Sequence, residues 1–166
     1  MNLIDGQRFL KEKKFDKALN IFLNLEKKNY SDIRIFFYLG LVYFELNNFN
    51  KSLLYYKKFL LKDPSSTSGL LNLAIVNQTI GNINSAKKIY LKLIKQNSLN
   101  IRAYYGLYLL DAKNFSEKNF EVLLSIKKNN KLNLYDFALI NFLLSKSEKK
   151  KNKIKKEIEY LKTFHI

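Results

Sequence analysis

The side chains best suited to acid–base, nucleophilic and metal chemistry are scarce in this chain. There is one histidine, His165, beside the C-terminus, and no cysteine at all. His165 has no Ser-Asp constellation and no second ligand at useful spacing, so neither a hydrolytic triad nor a histidine metal site is expected. Thiol catalysis, cysteinyl zinc and disulfides are excluded outright, and a cytoplasmic setting is the expectation that follows. No glycine-rich loop precedes Lys-Ser or Lys-Thr, which leaves no phosphate cradle. The acids Asp32, Asp63 and Asp111 stand singly near helix boundaries, where capping or loop solvation explains them better than paired acid/base work. No catalysis, metal or cofactor is expected of this chain.

Lysine is the abundant chemical group. Lys+Arg number 30 against 14 Asp+Glu, giving a formal charge of +16, and arginine occurs only at Arg8, Arg34 and Arg102. The densest cluster is Lys146, Lys149, Lys150, Lys151, Lys153, Lys155, Lys156 and Lys162, diluted by Glu148, Glu157 and Glu159. It reads either as a contact for phosphates or an acidic protein, or as the solvated face of a terminal helix in a lysine-biased composition. Aromatic interleaving and arginine forks are missing there, which argues against nucleic acid. Asp5, Arg8, Lys11 and Glu12 interrupt any secretory signal. The longest apolar run, Ile35 to Phe44, falls well short of the roughly 20 residues that span a bilayer, so a soluble protein is expected.

One proline and five glycines leave few breakers, which favours long helices. Sliding the chain against itself shows what those helices build, because positions 34 apart agree in type. Gly6, Gly40 and Ala74 form one small column, and Ala18, Ser52 and Ala86 form another. Aromatics recur at Phe22, Tyr56 and Tyr90, and large apolar residues at Leu25, Phe59 and Leu93. Each unit reads as two antiparallel helices, with Lys13-Lys14, Asn47-Asn48 and Gly81-Asn82 as the turns and the small residues where the helices cross most closely. Tyr56 and Phe59 are expected to point out of their own pair into the next, so that neighbours must stack. Pro64 ends the second helix of the middle unit.

These columns resemble the tetratricopeptide repeat, a helix-turn-helix unit. The middle copy is the nearest match, through Phe36, Leu39, Gly40, Tyr43, Ser52, Tyr56, Phe59 and Pro64. Tyr30 and Ser98 stand where the first and third copies would have proline. The resemblance implies an all-α fold, a right-handed α-solenoid of stacked antiparallel helix pairs over residues 1–166. Repeats are expected at about 1–32, 33–66 and 67–100, a degenerate one at 101–130 and a capping pair at 131–166. In the degenerate copy the small column falls on Lys118, Asn119 or Phe120, depending on loop length. The terminal helix is expected to pack Ile154, Ile158 and Leu161 on Leu139, Phe142 and Leu143, leaving Lys150, Lys153 and Lys156 in solvent.

The resemblance further implies that first helices line a concave groove. Its residues would be Arg34, Phe37, Leu41, Phe44 and Glu45, then Ser68, Leu71, Asn72, Ile75 and Gln78, then Arg102 and Tyr105. The first unit would add Leu3, Gln7 and Leu10. These side chains read either as a peptide-binding surface that folding can spare, or as contacts between neighbouring helices. A carboxylate clamp of the kind that chaperone-binding members carry is rejected, because Leu3, Gln7, Tyr38, Ser68 and Asn72 hold its places. The expected function is a protein-interaction scaffold binding another protein or peptide. The alternative is the N-terminal helical region of a longer sulfotransferase or glycosyltransferase, suggested by the apolar ending Tyr160 to Ile166. If the small column is assigned correctly, Ala86→Phe destabilises by about 1–3 kcal/mol or more, read from urea denaturation. An unchanged midpoint would refute the assignment.

Overall fold

The structure, a computed structural model, describes residues 2–28 and 31–162. Tyr30, Phe164, His165 and Ile166 lie outside the described residues. Among those described there are ten helices and no strand. They are α1 (Leu3–Lys11), α2 (Phe15–Lys27), α3 (Arg34–Glu45), α4 (Phe49–Lys62), α5 (Thr67–Thr79), α6 (Ile83–Gln96), α7 (Ile101–Leu110), α8 (Glu117–Asn129), α9 (Leu134–Lys150) and α10 (Ile154–Lys162). The all-helical expectation holds. Their contacts gather into two compact units, Met1–Ile89 and Tyr90–Ile166, with the boundary inside α6.

Helix starts are fixed by side chains that satisfy orphan backbone donors. Asn48, Ser66, Asn100, Ser116 and Asn133 each accept a hydrogen bond from the backbone N–H three residues on, and Asn2 with Asp5 forms a reciprocal capping box. Helix ends are fixed by the backbone. Lys13, Asn47 and Gly81, spaced by the repeat period, adopt φ of 58°, 58° and 83°. Behind them Lys14, Asn48 and Asn82 each donate to a carbonyl five residues back, at 2.8 Å in all three. The three turns are one Schellman motif repeated. Asn152, with φ of 55°, closes α9 the same way, since the Lys153 N–H donates to the Glu148 carbonyl at 3.0 Å. The single acids serve the loops as expected: Asp32 accepts from the Arg34 backbone, Asp63 from the Ser65 hydroxyl and Asp111 from the Asn114 backbone.

The first unit is held by rings laid on small residues. Ala18, Ser52 and Ala86 are all 0% exposed. A Cβ added to Gly6 would meet the Phe22 ring at 2.4 Å, and one added to Gly40 the Tyr56 ring at 2.8 Å. The Ser52 hydroxyl, in the small column, donates to the Gly40 carbonyl at 2.8 Å and so adds a polar link to the same crossing. This corrects the expected direction of Tyr56, whose ring covers Gly40 of its own pair. Phe59 does reach the next pair, against Gly69 of α5, and Phe22 stacks on Tyr38 of α3 at 5.3 Å. Glu26 of α2 accepts from the Tyr55 hydroxyl at 2.8 Å and from Lys58 at 3.0 Å, tying α2 to α4. Burial, then that carboxylate, holds the Tyr55 phenol well above the usual tyrosine range.

In the second unit the Tyr90 ring covers Gly106. Burial pushes the Tyr90 phenol up to about 12. The degenerate register resolves on Phe120, which is buried while Lys118 is exposed. Residues 111–116 make a longer connection than 12–14 or 46–48, and Phe115 from that loop meets Phe120 at 4.9 Å. The expected closure by α10 is corrected. Ile154 is 66% and Ile158 46% exposed, and the half-buried residues of the helix are Glu157, Tyr160 and Leu161. Lys150 is exposed as expected, and its ammonium donates to the Ala112 and Lys113 carbonyls at 3.0 and 3.2 Å.

Left-handed backbone costs a residue with a Cβ about 1 kcal/mol, and glycine escapes that cost. Lys13→Gly is therefore expected to raise stability by about 1 kcal/mol. Gly81→Ala should lower it by a similar amount, although a Cβ there has nothing within 4 Å. Urea denaturation of both variants checks the pair.

Candidate interaction surface

Within the first unit α1 touches α3 and α3 touches α5, so three first helices lie side by side. The period then aligns their side chains in rows. Ile4, Tyr38 and Asn72 form one row, Gln7, Leu41 and Ile75 a second, and Lys11, Glu45 and Thr79 a third. The Gln7 amide donates to the Tyr38 hydroxyl, which ties α1 to α3 across the rows.

Two hollows open at the turn edge of this surface. One of about 250 Å³ is lined by Leu10, Lys11, Lys13, Phe15, Leu41 and Glu45. Another of about 400 Å³ is lined by Leu46 to Asn50 and Ile80. They share two repeat-related positions: Lys13 and Asn47 are equivalent left-handed residues, and Phe15 and Phe49 are equivalent first residues of second helices. Hollows of this size fall at or below the lower end of small-molecule pockets and suit single side chains of a polypeptide. Lys11, Lys13, Phe15, Phe49 and Ile80 were missed by the groove assignment. The signal that finds them is the shared 34-residue spacing of the turns.

The groove positions read from the sequence divide into two groups. Leu41 and Glu45 line the smaller hollow, together with Leu10 of the first unit. Leu71 and Asn72 are half-buried, Ser68 is exposed and Ile75 is 36% exposed. Gln78 is half-buried at the end of α5, and its carbonyl accepts the Gly81 N–H of the turn. Others are committed to the fold. Phe37 meets the rings of Tyr38, Tyr56 and Phe59 at 5.7, 5.8 and 5.4 Å, and Phe44 meets Phe49 at 5.4 Å. Arg34 pairs with Asp32, whose carboxyl is held below the usual carboxylate range chiefly by that hydrogen bond, and Leu3 is buried. In the second unit Arg102 lies over the Tyr135 ring at 4.7 Å, 3.8 Å from Asp136, and Tyr105 meets Phe142 at 5.8 Å. Both thus face α9.

Residues 35–66 match the tetratricopeptide repeat family, which is the copy the sequence columns singled out. Solved structures share the fold along nearly the whole chain. MamA is 21% identical, with a TM-score of 0.66, and the match covers 96% of this chain and 91% of that one. A tetratricopeptide repeat protein from Parabacteroides merdae gives 0.71 at 19% identity, covering 98% of this chain and 62% of the other. The thermophilic protein TTC0263 of Thermus thermophilus gives 0.68 at 16% identity, covering 98% and 87%. The chain thus carries a tetratricopeptide repeat and has the fold of tetratricopeptide-repeat proteins. No curated protein matches it in sequence.

Among the described residues no three His, Cys, Asp or Glu side chains gather as metal ligands would, and no helix is long and apolar enough to cross a membrane. Because Phe37 touches three rings while Ile75 stands at the surface, their truncations should separate. Phe37→Ala is expected to lose about 2–3 kcal/mol of stability, and Ile75→Ser to stay within about 0.5 kcal/mol. Comparing their urea midpoints tests which of the two belongs to the fold.

Proposed function

We propose that this protein is an interaction scaffold whose first unit binds a segment of another polypeptide along α1, α3 and α5. The observation that carries the reading is the alignment of Gln7, Leu41 and Ile75 across three adjacent helices, bordered by two hollows that share repeat-related positions. An extended or helical segment lying across these rows meets alternating apolar and amide groups. Its side chains enter the hollows beside Phe15 and Phe49. Glu45 and Lys11 at the border bias the register of the segment by charge. The scaffold brings no reaction of its own. Its contribution is to hold a partner in a defined place.

The test compares proteins captured by the immobilised wild-type chain with those captured by two variants. Partners of this surface should bind the wild type and Lys57→Ala, on the exposed side of α4, and should weaken at least tenfold toward Asn72→Ala with Ile75→Ser. A partner that binds the double variant with wild-type affinity would place the interaction off this surface.

A further inference from the structure

The lysine cluster at the end of the second unit takes no part in the proposed binding surface. Part of it is structural: Lys150 donates to the carbonyls of the α7–α8 loop, Lys151 pairs with Glu117, and Lys146 lies over the Phe142 ring. The rest is turned outward. Lys149, Lys153, Lys155, Lys156 and Lys162 are exposed, and among the described residues their side-chain ammonium groups enter no hydrogen bond or ion pair.

The same helix carries its apolar side chains outward too. α10 lies against α9, with Glu157, Tyr160 and Leu161 half-buried. The Tyr160 ring is further fixed by Lys127 of α8, whose ammonium stands 4.5 Å from its centroid. That rotation of the helix leaves Ile154 and Ile158 at 66% and 46% exposure. Four-residue spacing puts Ile154, Ile158 and Lys162 in one row, and Lys155 borders Ile158 on the same side. The outer face of α10 is thus two branched aliphatic side chains flanked by two lysines, with Glu159 as its exposed acid.

We propose that α10 docks the second unit onto an anionic lipid surface, with Ile154 and Ile158 entering the boundary between headgroups and acyl chains and Lys155 and Lys162 meeting lipid phosphates. Lysine suits that position, since its alkyl stem lies along apolar surface while the ammonium reaches the phosphate plane. The outward Lys153 and Lys156 add attraction across the Debye length. A second copy of the chain fits worse, because it would set lysine against lysine. Nucleic acid fits worse as well, because the face has neither arginine nor an aromatic ring for stacking.

The experiment is flotation of the intact chain with vesicles of phosphatidylcholine alone and of phosphatidylcholine with phosphatidylglycerol, at low and high salt. Binding is expected to the anionic vesicles only and to fall with salt. Lys155→Gln, Lys156→Gln and Lys162→Gln together should lower the partition coefficient roughly a hundredfold. Ile154→Ser with Ile158→Ser should lower it about tenfold or more. All five side chains are exposed, and circular dichroism of each variant verifies that the helices remain. Failure to bind anionic vesicles overturns the proposal. In that event salt-sensitive binding of polyglutamate would identify an acidic protein as the occupant, and sedimentation showing a dimer lost in the isoleucine variant would identify a second copy.

Discussion

Everything in the first unit depends on how closely two helix axes can approach at their crossing. Gly6 and Gly40 let an aromatic ring from the second helix lie flat on the backbone of the first, where even a methyl group would sit inside the van der Waals limit. Ala18 and Ser52 keep the facing side equally thin, and Ser52 turns the contact into a hydrogen bond to the Gly40 carbonyl. Because the rings of Phe22 and Phe59 also reach the following pair, each crossing prepares a surface for its neighbour. A pair without a neighbour would leave those rings in water, so the helix pairs within the unit must stack to be stable.

That packing decides which side chains remain for a partner. Second helices supply the rings that cover Gly6 and Gly40, and the first helices lie side by side with the row of Gln7, Leu41 and Ile75 across them. The repeated left-handed turn places Lys13 with Phe15 at one hollow and the equivalent Asn47 with Phe49 at the other. Cations reinforce the pattern at its edge, since Lys17 lies over Phe9 and Lys51 over Tyr43, equivalent pairs one repeat apart. The second unit keeps the ring-on-glycine contact at Tyr90 and Gly106, and its longer α7–α8 loop brings Phe115 against Phe120.

The columns were legible in the sequence because each records a steric limit that a substitution cannot evade. A small residue at a crossing and a left-handed residue at a turn recur every 34 positions wherever the backbone repeats. Directions of large side chains were less legible. Periodicity places Phe37 and Leu41 on one face of α3, yet only the crossing geometry sends Phe37 into three rings and leaves Leu41 at a hollow. The end of the chain was misread for a related reason. An amphipathic stripe at Ile154 and Ile158 is consistent with a helix, but the face that α10 turns to α9 is the one with Glu157, Tyr160 and Leu161, where Lys127 of α8 also meets the Tyr160 ring, and no spacing along one helix reveals such contacts.

The central claim is that close helix crossings expose a first-helix face on which another polypeptide is held. Site-specific photo-crosslinking reads that face directly, with a photoreactive side chain placed at Ile75 of α5 in one sample and at Lys57 of α4 in another. The account predicts covalent adducts with a discrete polypeptide from Ile75 and none from Lys57. Adducts from Lys57 with Ile75 silent, or equal adducts from both, would contradict it.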